Sequence, residues 1–372
     1  MRIAIDARGI NWYKGTGIGT YTENVVKNLL DLYKDNYYRL YWSENNYENY
    51  KKDNVDIIFT SKKHPRFFEQ NYFYSDLQRE AIDIYHVPQN GIGLNPDIQC
   101  KKVITVHDLI PYIMPETVGK GYLLKFLREV PNIIQNVDGI ITVSEYSKRD
   151  ILKFFPIDPN KIFVTPLAAD SIYKPLDKVY CKNLLSSKYN ITKPFILYIG
   201  GFSPRKNVKA LINSFIKIIP NANEDYNLVI AGAKKDLGEY LSAEYSYLAS
   251  KIIFTGFIPQ EELPVFYNAC EVFVYPSLYE GFGLPPLEAM SCGAPVITSN
   301  ITSIPEVVED NGLLIDPYSE DELTQSLEKL LNDESLRKNL SERGLKQASK
   351  FSWKETAKKT FEAYEQICLN LE

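Results

Sequence analysis

Two glutamates separated by seven residues, Glu280 and Glu288, stand in Tyr-Pro-Ser-Leu-Tyr-Glu-Gly-Phe-Gly-Leu-Pro-Pro-Leu-Glu-Ala-Met, residues 275–290. Carboxylates accept pairs of hydroxyl hydrogen bonds, which is what a sugar or a ribose offers. Gly281 and Gly283 permit a tight backbone path, and Pro285 and Pro286 suit a helix's first turn, where the missing N–H would be unpaired anyway. Gly293 follows as a C-terminal cap. The amides of Phe282, Gly283 and Leu284 are therefore expected to point outward at a helix N-terminus, ready for an anion or for sugar hydroxyls. Read singly, Glu280 fits a solvated loop residue and Glu288 a partner of the helix dipole. The segment as a whole favours a ligand site.

A second loop, Gly200-Gly201-Phe202-Ser203-Pro204-Arg205-Lys206-Asn207, follows one apolar run and opens a helical pattern. Its glycines let backbone approach a ligand, and Arg205 with Lys206 can neutralise a diphosphate. A flexible loop with two surface cations fits the same residues. Neither a Walker Lys-Ser/Thr nor a G-x-G-x-x-G is present in it, so neither an ATPase nor a dinucleotide enzyme is favoured. The G-x-G-x-G run at Gly15, Gly17 and Gly19 leads into a helix expected from about Tyr21, and reads as a loop closing over a phosphate or as a plain entry turn. His107, in Thr-Val-His-Asp-Leu, stands at a strand's carboxyl end. There it can donate to a substrate oxygen, shuttle a proton, or pack as a structural histidine bonded to Asp108. His64 falls in a loop and His86 at a buried-looking strand end, and no cluster of His, Cys and Glu has metal-ligand spacing. No metal is expected.

These loops need strands to present them. Short apolar, β-branched runs alternate with amphipathic stretches twice along the chain, the pattern of βαβ units and parallel sheets. Strands are expected at 2–7, 39–42, 56–60, 82–87, 102–107, 139–143 and 162–165, then at 195–199, 227–231, 251–255, 272–275, 295–298 and 313–316. Helices fill most gaps, among them 208–219 and 320–331, and one long helix closes the chain over 352–371. At roughly 150 residues per domain, the 372 residues make about two domains, with a boundary in the weakly periodic stretch 168–193 around Pro175. The expected class is α/β, two Rossmann-like doubly wound domains facing across a cleft, because open α/β sheets bind ligands at the carboxyl ends of their strands.

Composition limits the remaining classes. Hydrophobic residues at 45% and charged residues at 24% exclude disorder, collagen-like repeats and a coiled coil, and a net charge of −5 argues against nucleic acid as a partner. Five cysteines, at 100, 181, 270, 292 and 368, form no C-x-x-C pair, which fits a reducing cytoplasm. Asp6 and Arg8 interrupt the first apolar run, so no signal peptide is expected, and no run approaches the ~18 apolar residues of a membrane span. Of the 27 tyrosines, 13 fall in the first 125 residues, a skew that suits a surface for sugars or lipid, or ordinary core.

In this order the pieces resemble the retaining nucleotide-sugar glycosyltransferases of family 4, a GT-B-fold group, over nearly the whole chain. Glu280 and Glu288 satisfy that family's Glu-x7-Glu signature, and His107-Asp108-Leu109, Thr142-Val143-Ser144-Glu145, Gly256-Phe257-Ile258-Pro259, Gly293-Ala294-Pro295 and Ile304-Pro305-Glu306 are similar to its other motifs. The resemblance implies an acceptor-binding domain over 1–175, a donor-binding domain over 190–352, and a C-terminal helix, about 353–372, that packs back on the first. It implies that Gly17 and Gly19 approach the donor diphosphate, that Gly201, Arg205 and Lys206 bind it, and that Glu288 accepts from the ribose. Glu280, Gly281, Phe282, Gly283 and Leu284 would hold the transferred sugar, Ile258 is a further donor-binding position, and His107 and Glu280 would be the catalytic pair. Many relatives carry Arg where this chain has Gly201; Arg205 is expected to supply that charge, as in the Pro-Arg-Lys-Asn branch of bacterial mannosyltransferase-like enzymes.

The activity so implied is transfer of a hexose, mannose from GDP-mannose being the best match, to a glycan or polyprenyl-linked glycolipid acceptor in surface-polysaccharide synthesis. Anomeric configuration would be retained, the nucleotide sugar being the only small-molecule partner, with no metal or other cofactor, since no Asp-x-Asp occurs to hold a divalent ion. A UDP-sugar donor and a nucleotide-sugar epimerase are the alternatives. The place of action is the cytoplasm, with peripheral membrane contact as one reading of 119–136, where Lys120, Lys125 and Arg128 interleave with Tyr122, Leu123, Leu124, Phe126 and Leu127. Pro131 is expected to shorten that helix, and an ordinary half-buried helix is the other reading.

Overall fold

The structure, a computed structural model, describes residues 1–232, 248 and 250–369. It divides into two compact units, one made of Met1–Leu167 with the C-terminal segment from Ser352, the other of Ala168–Phe351. In the first, seven strands run parallel: β1 (Arg2–Asp6), β2 (Tyr37–Trp42), β3 (Val55–Phe59), β4 (Ile84–Val87), β5 (Lys101–Val106), β6 (Gly139–Thr142) and β7 (Ile162–Val164). Their order is β3-β2-β1-β4-β5-β6-β7, with Ile3 registered on Tyr38 on one side and on Ile84 on the other. Central strands such as β4 and β6 are buried along their whole length, as parallel strands covered by helices on both faces must be. The chain moves outward from β1 to β3 and then returns through β4, so the winding direction reverses between β1 and β4.

Among the described residues the second unit repeats this plan with six strands: β8 (Phe195–Ile199), β9 (Asn227–Ala231), β10 (Ile252–Gly256), β11 (Val272–Tyr275), β12 (Val296–Ser299) and β13 (Leu313–Ile315). Their order is β10-β9-β8-β11-β12-β13, with the reversal between β8 and β11. Each expected strand is found, with ends moved by a residue or two, because buried β-branched runs bounded by turn residues leave little choice of state.

Several local expectations are corrected. The first glycine run is not a loop ahead of a helix: the helix is Gly17–Leu32, and Thr16 caps it by accepting from the Gly19 amide at 3.4 Å. Gly19 fits there because a Cβ would fall 2.2 Å from the Tyr13 carbonyl oxygen. The weakly periodic stretch 168–193 contains the helix Lys178–Tyr189, capped by Asp177 and closed by Asn190 in the left-handed region. Helix Lys120–Asn136 runs through Pro131 and keeps Phe126, Val130, Ile133 and Ile134 buried, so its packing outweighs the one backbone hydrogen bond that proline removes. Leu124 and Leu127 on the same helix are exposed.

The last helix, Trp353–Leu369, packs within the first unit, and the expected extension to Leu371 lies outside the described residues. Phe361 stacks on Tyr33 at 3.7 Å between ring centroids, and Ile367 occupies the space that a side chain at Gly139 would need. Tyr364 meets His86 at 2.6 Å, and the other ring nitrogen of His86 meets the Thr105 hydroxyl at 2.8 Å. Burial, with His107 adding to it, pulls the His86 pKa down to about 3, so it is a neutral core histidine. The tyrosine skew is largely core as well: Tyr21, Tyr38, Tyr41 and Tyr85 are among the most buried side chains of the protein.

Candidate active site

The two most informative loops of the sequence emerge from the carboxyl ends of β8 and β11, the strands that flank the reversal point of the second sheet. Such a point leaves a crevice between loops that diverge to opposite faces, which is where open α/β sheets hold ligands. After β8 the chain passes Gly200 and Gly201 into a single 3-10 turn, Pro204–Lys206, and Asn207 in a left-handed conformation starts the helix Val208–Ile218. Arg205 and Lys206 thus sit on their own turn and not in the helix that follows. The turn is stitched to the loop after β11: the Leu278 amide donates to the Arg205 carbonyl at 2.7 Å, and the Ser277 Oγ lies 3.2 Å from the same oxygen.

Glu280 is the centre of this cluster. Its Oε1 accepts from Ser277 Oγ at 2.5 Å, from Arg205 Nη1 and Lys206 Nζ at 2.8 Å each, and from the Tyr275 hydroxyl at 2.9 Å. Arg205 also donates to the Tyr279 carbonyl at 2.6 Å, and the Lys206 ammonium, bonded to the Tyr275 hydroxyl, lies 4.8 Å from the centre of that ring. The Glu280 side chain is only 13% exposed, so it is not a solvated loop residue. Burial by itself would raise its pKa, but the charges of Lys206 and Arg205, with bonds from Lys206 and Ser277, hold it down at about 2. It is an ionised, weakly basic carboxylate that fixes two cations; these three groups together carry one net positive charge.

Beyond Glu280 the backbone turns through Gly283 at φ +117°, a conformation that favours glycine, into the helix Leu284–Ser291. The Ser303 hydroxyl lies 2.9 Å from the Glu280 carbonyl and 2.8 Å from that of Phe282, which pins the turn. Among the described residues the amides of Phe282, Gly283 and Leu284 have no acceptor within the protein. The helix ends in a Schellman pair, Gly293 N–H to Met290 at 3.0 Å and Ala294 N–H to Ala289 at 2.9 Å. Glu288, on this helix, accepts from the Tyr267 hydroxyl at 3.0 Å. Burial raises its pKa to about 7 against the opposing bonds from Tyr267 and Tyr173. It is therefore not an ordinary first-turn carboxylate; its burial favours the protonated form.

The remaining expected positions are placed as follows. Ile258 is buried at 5% exposure, while its neighbour Phe257 is 83% exposed. In the first unit, His107 lies at the end of β5, its Nε2 donating to the Pro88 carbonyl at 2.9 Å and its ring edge-on to Tyr21. Burial lowers its pKa to about 4 against that bond, so at neutral pH it is uncharged, with the lone pair on Nδ1. Its ring is held by the backbone carbonyl of Pro88, just after β4 and 19 positions away in the sequence. Gly17 and Gly19 belong to the first turn of a helix in the same unit. Among the described residues no three His, Cys, Asp or Glu side chains gather as a metal site. Tyr275, Ser277, Tyr267 and Tyr173 were not anticipated; the Tyr-Pro-Ser at 275–277, two residues before Glu280, carried a signal for the first two, whereas the others reach Glu288 from distant segments.

Paired parallel sheets of this topology, with anion-ready loops at the second switch point, define the GT-B class of two Rossmann-like domains. A solved glycosyltransferase from Rickettsia africae superposes with a TM-score of 0.75 over 100% of this chain and 99% of that one at 17% identity. The family described as glycosyl transferases group 1 matches residues 183–347, and glycosyltransferase family 4 matches residues 15–171. An O-antigen chain mannosyltransferase B of Escherichia coli is 32% identical over 371 residues, covering 95% of this chain and 96% of that protein. The serotype-specific mannosyltransferase WbdA of Escherichia coli is 33% identical over 70% of this chain, which spans 33% of the length of that relative. The chain belongs to the family 4 glycosyltransferases.

Proposed function

We propose that this glycosyltransferase moves mannose from GDP-mannose to a glycan or polyprenyl-linked glycan acceptor, with retention of anomeric configuration and without a metal ion. The observation that carries the reading is the Glu280 cluster, in which one buried carboxylate holds Arg205 and Lys206 at the mouth of the β8 and β11 loops. Breaking the anomeric C–O bond puts negative charge on the leaving diphosphate, and cations already fixed in place stabilise that charge without reorganising. The amides of Phe282 to Leu284 add donors at the helix N-terminus. Mannose as the sugar is supported by the mannosyl transfer named for the two relatives above.

The bonding of Glu280 speaks for a holding role. A carboxylate with a pKa near 2 whose Oε1 already accepts four donors is a poor base and a poor nucleophile. Transfer then proceeds on the front face: the anomeric C–O bond to the diphosphate breaks, the acceptor oxygen bonds to the anomeric carbon from the same side, and the acceptor's hydroxyl proton passes to the leaving phosphate oxygen. Neutral His107, with its Nε2 proton given to the Pro88 carbonyl, offers an acceptor lone pair on Nδ1 and no acidic proton. Glu288, once ionised, accepts the ribose hydroxyls.

The test is incubation with GDP-mannose and a mannoside acceptor, followed by NMR of the product. An α-linked product formed at the same rate with EDTA is expected. A β-linked product, a need for added metal, or donor conversion that does not depend on acceptor would each overturn the corresponding part. A parallel thermal-shift panel of GDP, UDP and ADP identifies the base, because a ligand that binds only the folded form raises its stability.

A further inference from the structure

The loop that follows β12, residues 300–303, packs against the Glu280 turn, and one of its residues is an outlier twice over. Thr302 has φ +62°, a left-handed conformation that β-branched residues avoid. Its Oγ1 is also buried without a hydrogen-bond partner. Both features cost free energy, and such costs persist at ligand clamps, where the surrounding structure over-determines the conformation. What this strained residue delivers is Ser303. That side chain is fully buried, and its Oγ lies 2.9 Å from the Glu280 carbonyl and 2.8 Å from the Phe282 carbonyl. One hydroxyl proton thus serves two carbonyls and clamps the turn between them. Ile304 closes the same turn from beside Ser303: a Cβ at Gly283 would fall 2.7 Å from its Cδ1.

In a planar trans peptide the C=O and the next residue's N–H point in opposite directions. Pinning the Phe282 carbonyl on Ser303 therefore turns the Gly283 N–H away from Ser303. Gly283 is buried, and its N–H has no acceptor among the described residues. Buried N–H groups are rarely left unpaired, so a ligand oxygen is the acceptor that this one fits. The two cations nearby are held independently of Ser303. Arg205 bonds to the Glu280 carboxylate and the Tyr279 carbonyl, and Lys206 to the same carboxylate and the Tyr275 hydroxyl. Diphosphate and sugar thus have separate supports, the turn after β8 for the first and the loop after β12 for the second.

From this we infer that Ser303 is a positioning residue of the transfer reaction: through the Phe282 carbonyl it aims the Gly283 amide at a hydroxyl oxygen of the transferred sugar, and the strained Thr302 fixes its approach. The inference rests on the function proposed above and adds to it a residue outside the Glu-x7-Glu segment. Ser303 itself does not touch the donor. Its loss should therefore weaken what the sugar contributes and spare what the nucleotide contributes, a split that a general loosening of the fold would not produce.

The experiment compares the whole wild-type protein with Ser303→Ala in two measurements, kcat/KM for GDP-mannose and the inhibition constant of GDP. In the variant kcat/KM should fall about tenfold, the worth of one well-placed hydrogen bond, while the inhibition constant stays within about twofold. Should Ser303→Ala not fold, as judged by its melting curve, Ser303→Cys is read instead; its thiol is a weaker donor and should give a smaller loss of the same kind. An unchanged kcat/KM in a folded variant would overturn the inference. GDP binding weakened as much as transfer would overturn it too, since the amide would then serve the diphosphate or the fold. If the wild type turns over a UDP-sugar and not GDP-mannose, the proposed donor falls, and the same comparison made with that sugar and UDP still decides the role of Ser303.

Discussion

At the scale of the residue, the two signature glutamates are opposite in character although they lie on one short segment. Glu280 is held near pKa 2 by Lys206 and Arg205 against its own burial, and Glu288 is raised to about 7 by burial. Linkage gives each a distinct pH signature. The folded pKa of Glu288 exceeds its ordinary 4.5, so its contribution to stability is full below about 4.5 and is lost as pH rises through about 7. Glu288→Gln should therefore flatten the fall in Tm between those values, measured by thermal melts across pH. Glu280 runs the other way: its contribution is present above 4.5 and is lost as pH falls through about 2, and Glu280→Gln should remove that acid dependence. If Glu288 accepts the donor ribose as a carboxylate, GDP binding should tighten as pH rises from 6 to 8 in the wild type and not in Glu288→Gln, with calorimetry as the measure. The spacing of the two carboxylates was legible in the sequence, because glycine, proline and glutamate at those offsets imply a strand end, a turn and a helix start. Their electrostatics were not, since Tyr267 and Tyr173 reach Glu288 from outside the segment.

At the scale of the element, the alternating apolar runs made every strand of both sheets readable, since a buried parallel strand admits few residue types. Helix starts were less readable. The run at Gly15, Gly17 and Gly19 looked like a loop because glycine is a poor helix former, yet Thr16 caps the helix there and Gly19 is required by the approach of the Tyr13 carbonyl. Gly19→Ala should cost about 1–3 kcal/mol, the usual range for forcing an atom into a filled site, seen as a lower midpoint in urea. The C-terminal helix shows what a local pattern cannot reveal, namely its partner. Tyr364 meets His86 across 278 positions of sequence. Tyr364→Phe leaves a buried ring nitrogen without its partner and should cost about 1–3 kcal/mol, read from the same unfolding curves.

At the scale of the whole molecule, each unit has its own sheet and its own switch point, and the nucleotide sugar is proposed to bind at the one between β8 and β11. Such a chain is expected to unfold in more than one step. In scanning calorimetry GDP should raise the transition of Ala168–Phe351 and leave that of the other unit unchanged. The claim on which the rest depends is that the Glu280, Arg205 and Lys206 cluster stabilises the departing diphosphate. Its most direct test is the rate of mannosyl transfer from GDP-mannose by Lys206→Ala and Glu280→Ala, each shown to be folded by its melting curve. A loss of about 10²–10³-fold in kcat is predicted for each, the usual effect of removing one preorganised charge-stabilising group. Transfer at the wild-type rate in either folded variant would contradict the account.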